Sequence, residues 1–151
     1  MSPTVERDSH TLLLPVAAGE LIDKITILRL KSERLQRPEA LANVRRELHA
    51  LEEVLTDAGP ALSIDMVLAL TDALQTINTQ LWDVEDQLRI LEAEQRFDGE
   101  FIALARSVYQ LNDQRAALKR QINEACGSSL MEEKSYGEQQ KTPSHNGRGV
   151  I

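Results

Sequence analysis

The middle of the sequence carries a heptad pattern of apolar residues that restricts the chain to helical folds. Spacings of three and four residues place side chains along one side of an α-helix. Apolar residues fill eight successive a and d positions, namely Val67, Leu70, Leu74, Ile77, Leu81, Val84, Leu88 and Leu91. A helix from about 64 to 95 is about 48 Å long at about 1.5 Å per residue. We therefore expect it to overhang shorter helices, to be covered by the N-terminal segment, or to contact another subunit.

Three further segments share this helical period. They predict helices from 18 to about 36, from Pro38 to Gly59, and from Asp98 to about 126. Proline favours the first turn of a helix and glycine its end, so these residues mark helix boundaries. Aromatic residues make up only 3% of the chain, as in helical proteins more than in sheets. The prediction is an all-α fold, an antiparallel bundle of about four helices with a long third helix.

The ends of the chain differ from the helical region in composition. The run TLLLPV, residues 11–16, is apolar and stops at a proline, which predicts an extended arm. Four of the seven glycines follow residue 126, where serine and glutamine are also frequent, as in disordered segments. The predicted division is a flexible leader at 1–13, a helical bundle domain at 14–126, a segment at 127–136 that either packs on the bundle or does not, and a disordered tail at 137–151.

Charge and cysteine content limit the expected partners and compartment. The chain has 17 Lys and Arg residues against 24 Asp and Glu residues, and its formal net charge is −7 at pH 7. Because the cations form no basic stripe, nucleic acid is not an expected partner. The one cysteine cannot form an internal disulfide, and no 18-residue apolar run or signal-peptide core occurs. We expect a cytoplasmic protein that does not insert into membranes.

Asp23 and Lys24 interrupt an apolar helix in the stretch GELIDKITILRLKSER. Leu21, Ile25 and Leu28 form one apolar stripe on this helix, and Asp23 lies within a second stripe on the other side. A helix with two such stripes is central in its bundle or contacts a partner. Two interpretations of Asp23 remain open: a solvent-exposed acid that suits the helix dipole, or a buried acid bonded to a cation from another helix.

Arg115 is the candidate cation, because it occupies a core position of the last helix. Burying an unpaired charge is costly, so the guanidinium either reaches solvent along its stem or pairs with an acid. Asp23 is one candidate partner. The other is Glu85, which shares a stripe of the third helix with Asn78 and Trp82. Such a pair would fix the helix register or form the floor of an anion site.

Known catalytic and metal-binding motifs are missing from the sequence. No Gly-rich phosphate loop, G-x-S-x-G or H-E-x-x-H motif occurs. His49 is followed by Glu52 and Glu53, the reverse of the Glu-x-x-His order of di-iron bundles. A lone cysteine at a helix end is more often an apolar filler than a nucleophile. We therefore expect no metal and no cofactor, and favour a role without catalysis.

Five segments occur in the order GELIDKITIL, NVRREL, LWDVEDQLR, ARSVYQLNDQRAALKRQIN and EEKSY. In this combination the chain resembles an uncharacterised bacterial family, domain of unknown function 6165, from about Leu14 to Tyr136. The resemblance implies an intracellular helical domain without an established activity, and leaves the end after Gly137 outside the pattern. More distantly, the chain is similar to a helical family with an Ile-Asp-Lys/Arg-x-x-Ile-Leu helix, found beside sugar transferases for surface polysaccharides.

The family pattern falls on a defined set of polar residues in this chain. The chain departs from this pattern at Ala17, where serine is expected, and at Arg29, where an acid is expected. The matching positions are Gly19, Glu20, Asp23, Lys24, Trp82, Asp83, Glu85, Asp86, Arg106, Tyr109, Asn112, Asp113, Arg115, Lys119, Asn123 and the segment Glu132, Glu133, Lys134, Ser135 and Tyr136.

Two functional hypotheses follow. The first is a non-enzymatic interaction or accessory protein that binds a protein partner or a second copy and is linked to surface polysaccharide synthesis. The second is a site inside the bundle that binds or rearranges an anionic metabolite or sugar nucleotide, held by Arg and Lys side chains. The candidate polar cluster is Asp23, Lys24, Lys31, Asn78, Trp82, Glu85, Arg106, Tyr109, Asn112, Arg115 and Lys119, with Glu132, Glu133, Lys134 and Tyr136 as the candidate tail segment.

Overall fold

Four α-helices make up most of the part of the chain that the computed structural model describes, residues 10–128, 130 and 133. They are α1 (Ala18–Arg34), α2 (Pro38–Asp57), α3 (Asp65–Ala93) and α4 (Gly99–Cys126), and a single 3-10 turn, Pro60–Leu62, precedes α3. No strand occurs among these residues, so the predicted all-α fold with a long third helix is confirmed. The predictions for residues 1–9, and for nearly all of the tail after 128, lie outside the described residues.

Local signals set most of the helix ends. Pro38 is at the first position of α2, where its missing N–H costs no hydrogen bond. At the start of α4 the Asp98 carboxylate accepts from the Phe101 N–H at 3.4 Å, and the Arg96 and Phe101 donors lower the pKa of that carboxyl. Gly127 ends α4 with φ of 68°, a left-handed conformation that glycine adopts without strain. At the start of α1 the cap residue is Ala17, whose methyl side chain accepts no hydrogen bond from the helix.

The helices alternate in direction. Helices α3 and α4 form a long hairpin, and α1 lies on one side of it while α2 folds back onto α1. Hydrogen bonds from Gly19 to Asn123 and from Arg115 to Asp23 show that α1 runs antiparallel to α4. Leu55, in the last turn of α2, packs against the same core cluster as Ala18 at the start of α1. The predicted antiparallel arrangement of consecutive helices is therefore present.

The core lies where α1 crosses the α3–α4 hairpin. Its central cluster is Ile22, Val67, Leu74 and Ile122, contributed by three helices. Helix α1 packs against each of the other three helices and is buried on both of its apolar stripes, at Ile25 and Leu28 on one and at Leu30 on the other. The two stripes therefore reflect a central helix, the first of the two explanations that the sequence allows.

The hairpin is longer than the helix that covers it. Helix α3 has 29 residues, whereas α1 has 17. We call residues 65–83 and 112–126 the covered half of the hairpin, and residues 84–111 the uncovered half. In the uncovered half, Ile90 and Ile102 are 57% and 55% exposed. The sequence left three possibilities open for the long third helix. In the structure, one end of this helix extends beyond α1.

The segment before α1 is extended and lies outside the core. Residues 11–17 have no regular secondary structure, and Leu12, Leu13 and Leu14 are 88%, 72% and 75% exposed. We call Thr11–Val16 the leucine arm. All six residues of the arm are exposed in this structure. Within the described residues, no helix combines the length and the apolar character that a membrane crossing needs.

Candidate functional site

Asp23 is buried at the centre of a polar cluster between α1, α3 and α4. Only 2% of the residue is exposed. Its two carboxylate oxygens accept from Arg115 of α4, Oδ1 from Nε at 2.9 Å and Oδ2 from Nη2 at 2.5 Å. A forked pair of this kind is the strongest arrangement that an arginine and a carboxylate adopt. The sequence left two interpretations of Asp23 open. In the structure Asp23 is a buried acid bonded to a cation from another helix.

Asn78 of α3 adds a third donor to the Asp23 carboxylate. Its amide nitrogen donates to Asp23 Oδ1 at 3.0 Å and to the Thr26 hydroxyl at 2.8 Å. Thr26 in turn donates to the backbone oxygen of Asp23 at 2.7 Å. Both amide protons of the asparagine are therefore used, and the hydroxyl both accepts and donates. The network joins the three helices at one level, so a shift of any helix along its axis would break it.

A second set of polar contacts lies towards the start of α1. The amide nitrogen of Gly19 donates to Asn123 Oδ1 at 2.6 Å, so a side chain of α4 caps a helix without a cap of its own. Lys119 Nζ lies 2.8 Å from Glu20 Oε2. A Cβ atom on Gly19 would lie 2.4 Å from the backbone oxygen of Lys119. Close helix approach at this point therefore requires glycine.

Lys24 and Trp82 are on the rim of the cluster. Lys24 forms an ion pair with Glu47 of α2 at 2.9 Å, and both side chains are about half exposed. Lys24 therefore matches the solvent-exposed interpretation, unlike its neighbour Asp23. Arg34 at the end of α1 pairs with Asp83, and its guanidinium lies 5.9 Å from the centre of the Trp82 ring. These contacts hold α1 against α3 beyond the cluster.

The remaining candidates do not all meet at one place. Glu85, the other candidate partner of Arg115, is exposed. Arg115 pairs with Asp23 instead. Arg106 is exposed, and nine residues of α-helix separate it from Arg115, which places the two on opposite sides of α4. Tyr109 is exposed, while Lys31 and Asn112 are partly buried. The cations of the candidate polar cluster therefore do not converge on one site, since Arg106 faces away from Arg115 and Lys119.

Of the tail candidates, only Glu133 falls among the described residues. Its carboxylate pairs with Arg120 at 3.3 Å, and 74% of its side chain is exposed. Glu132, Lys134 and Tyr136 lie outside the described residues. The one described contact connects the tail to the last third of α4, on the exposed side of that helix.

The chemistry available to the cluster is that of a closed ion pair. Among the described residues, every buried side-chain nitrogen and oxygen has a hydrogen-bond partner, so the cluster offers no orphaned donor to a ligand. Within the same residues, no group of three or more His, Cys, Asp and Glu side chains is arranged to hold a metal. Burial raises the pKa of the Cys126 thiol, which opposes formation of the nucleophilic thiolate at neutral pH.

Three side chains of the contacts around Asp23 and Gly19 were not in the candidate polar cluster from the sequence, namely Glu20, Thr26 and Asn123. A threonine on an apolar helix face, such as Thr26, gives no separate signal in the sequence. Asn123 matches one position of the family pattern, but its spacing does not predict that it caps a helix more than 100 residues away in the sequence. Only an unexplained polar residue on an apolar face, such as Asn78 or Arg115, signals that a buried partner is needed.

Surface grooves lie away from this cluster. One, of about 460 Å³, runs between α3 and α4 on the face opposite α1, and we call it the hairpin groove. A second, of about 360 Å³, lies beside α2 near His49 and Glu53, which form an exposed ion pair when the histidine is protonated. The hairpin groove is lined by the uncharged residues Ala73, Thr76, Ile77, Gln114, Ala117, Leu118 and Gln121.

Comparison with known families agrees with the segments quoted from the sequence. The model of a family of unknown function, DUF6165, matches residues 13–150. The chain belongs to this family. The match corrects one expectation, since it continues past Gly137 and includes nearly all of the segment that was placed outside the pattern. DUF6165 is a family of unknown function, so membership assigns no activity. No curated protein and no solved structure matches the chain.

Proposed function

We propose that this DUF6165 protein is a non-enzymatic interaction protein that binds a protein partner through exposed apolar surface. The observation that supports this most is the leucine arm, whose three leucines are largely exposed and adjacent in the chain. Scattered single apolar residues are normal on a protein surface, but contiguous apolar patches mark interaction sites. The arm leads directly into α1, the helix that packs against the other three.

The buried polar cluster has an architectural role in this proposal. Asp23 and Arg115 neutralise one another, and Lys119 pairs with Glu20. Residues that bind an anionic ligand or transfer a proton need to be reachable from solvent, whereas Asp23 is buried and Asn78 is committed to contacts within the cluster. A register role explains why three helices each contribute a polar group at the same level.

The location and setting of the partner are part of the same proposal. We place the protein in the bacterial cytoplasm, on the basis of its acidic charge and single cysteine. Its link to surface polysaccharide synthesis is supported only by the distant resemblance of the first helix to a family found beside sugar transferases. A protein of that pathway is therefore the first partner to test.

The proposal is tested by photo-crosslinking in cells. A photoreactive residue at Leu13 should form protein adducts, since this side chain is exposed and apolar. A matched residue at Arg45, exposed on α2, should form few. The same purified chain should show no rise in melting temperature with a panel of anionic metabolites and nucleotide sugars at millimolar concentration. A saturable rise with one of them would contradict the proposal and favour a small-molecule site.

A further inference from the structure

We infer that the partner binds through a basic amphipathic helix, which places its apolar side chains on the leucine arm and the start of α3 and its cations beside Asp57 and Asp65. This inference rests on the proposed interaction role and adds the chemistry of the partner. It starts from the uneven distribution of exposed apolar residues over the bundle.

Exposed apolar side chains are concentrated at one end of the bundle, where α1 and α3 start and α2 and α4 end. Ala18, Leu55 and Cys126 all pack there against the core cluster, to which α3 contributes Val67. Of the thirteen large apolar residues that are exposed in the described part of the chain, nine are at this end. We call these nine residues the apolar end. Four of them are in the leucine arm, and the others are Val54, Ile64, Met66, Leu68 and Leu130.

The apolar end is large enough for a specific interface. Each of its residues is at least 43% exposed, and the three leucines of the arm are 72–88% exposed. At ordinary side-chain areas these exposures amount to on the order of 800 Å². That area exceeds the largest patch on a typical monomer and equals about one partner's share of a standard interface.

A helix suits this surface better than a strand does. A bound strand needs the edge of a sheet to pair with, and the described residues contain no strand. A helix satisfies its own backbone hydrogen bonds, so it can lie on apolar side chains without leaving polar groups unpaired. Its apolar anchors, three and four residues apart, then fall on one side.

The charge that this end offers to a partner is negative. Residues 11–22, 54–68 and 119–128 contain four acids but only two cations, Lys119 and Arg120. Both cations already pair with acids of this chain, Lys119 with Glu20 and Arg120 with Glu124. The other two acids, Asp57 and Asp65, form no ion pair within the described residues. Cations on the partner would therefore be attracted to this end.

Asp57 is at an unfavourable position for the fold itself. It is the last residue of α2, which has no basic residue in its last turn. The end of a helix carries the negative side of the helix dipole, so an acid there is destabilising and a cation is stabilising. A Lys or Arg side chain of a bound partner would offset both the carboxylate and the helix end. Residues that oppose local stability are expected at functional sites.

The same charges disfavour other occupants of the apolar end. A second copy bound end to end would bring Asp57 and Asp65 close to the same acids of its neighbour. Anionic lipid headgroups and nucleic acids would be repelled as well, since like charges across an interface lower affinity. A segment that combines apolar side chains with Lys or Arg meets both features of this surface.

Binding of two synthetic peptides to the full chain tests this inference. One peptide is an amphipathic helix of about 18 residues built from leucine and lysine, and the other has glutamate in place of lysine. Fluorescence anisotropy should show saturable binding of the leucine–lysine peptide and no binding of the leucine–glutamate peptide. Equal binding of both peptides would overturn the role of charge, and binding of neither would overturn the inference as a whole.

Matched acid variants locate the binding surface. Asp57→Asn with Asp65→Asn should raise the dissociation constant of the leucine–lysine peptide at least about fivefold. The control Glu39→Gln with Asp86→Asn also removes two exposed acids, one of them in the first turn of a helix, as Asp65 is. It should change the constant less than about twofold. Equal effects of the two pairs would mean that the peptide binds by net charge alone, and would overturn the assigned surface.

Matched apolar variants test the other half of the surface. Met66 and Ile102 are 63% and 55% exposed at opposite ends of the bundle. Met66→Ser should weaken peptide binding, whereas Ile102→Ser should leave it unchanged, with the same helical content in circular dichroism. Sedimentation equilibrium of the chain alone should show a monomer. A dimer that Met66→Ser dissociates would assign the apolar end to a second copy and overturn the inference.

Photo-crosslinking at Leu13 separates this inference from the interaction role on which it rests. Protein adducts in cells, together with a leucine–lysine peptide that does not bind, would leave the interaction role standing and overturn the basic helix. The absence of both adducts and peptide binding would overturn both.

Discussion

The covered and uncovered halves of the α3–α4 hairpin have similar sequence patterns but different environments. In the covered half, Val67 and Leu74 are fully buried beneath α1. In the uncovered half, the heptad residues Val84 and Leu88 are only partly buried, and burial returns at Leu91 near the turn. A heptad pattern therefore specifies the seam between two helices, while the most complete burial, at Val67 and Leu74, occurs where a third helix lies across that seam.

The polar residues of the two halves also differ in their environment. The covered half contains the buried Asn78, Lys119 and Asn123 and the partly buried Arg115, each bonded to α1. In the uncovered half, Arg96 forms an exposed network with Asp98 and Glu100 at the turn. Buried polar pairs select one helix alignment, whereas exposed pairs contribute little to stability. Two comparisons between matched sites, and one substitution on the rim of the cluster, test this difference.

Leu74→Ala and Leu88→Ala compare the two halves of α3 directly. Leu74 is fully buried, so its truncation should lower the free energy of unfolding by about 2–5 kcal/mol. Leu88 is partly exposed, and the same change should cost less than about 1.5 kcal/mol because less apolar area is lost. Urea unfolding measures both. Equal losses would show that α1 does not create the difference between the halves.

Gly19→Ala and Gly99→Ala compare a close helix contact with an open helix start. The new methyl group at 19 would lie 2.4 Å from a backbone oxygen of α4, and overpacking of this kind costs about 1–3 kcal/mol. At Gly99 no atom lies within 4 Å, so alanine should be neutral or slightly stabilising. The melting temperatures of the two variants measure this difference. An unchanged melting temperature for Gly19→Ala would mean that α1 and α4 leave room for a methyl group at this point.

Lys24→Ala should have the smallest effect, although it changes the residue next to Asp23. Its ion pair with Glu47 is exposed on both sides, and such pairs contribute about 0–1 kcal/mol. The free energy of unfolding should fall by no more than this, and high salt should remove the remaining difference. A loss above about 2 kcal/mol would place Lys24 inside the buried network instead of on its rim.

The helices and their ends were largely predictable from sequence. Heptads, proline and glycine positions define α2, α3 and α4 to within a few residues, because these signals act locally. The cluster was predictable only in part. Arg115 in a core position signals a buried partner, but periodicity gives the face of a helix and not its alignment with another helix, so Asp23 and Glu85 were equal candidates. Gly19 gave no warning of close contact, because glycine is also common at helix starts.

The central claim is that the buried cluster holds α1 in register with the hairpin. A double-mutant cycle of Asp23→Ala and Arg115→Ala measures it most directly, by urea unfolding. Arg115→Ala should cost about 3–5 kcal/mol, because it leaves the buried Asp23 carboxylate without its cation. Asp23→Ala should cost about 1–3 kcal/mol, because the Arg115 guanidinium that it leaves is partly exposed. The coupling free energy should be about 1.5–3 kcal/mol, whereas Asp23→Ala with Arg106→Ala should be additive within about 0.5 kcal/mol. A coupling below about 0.5 kcal/mol between Asp23 and Arg115 would contradict the account.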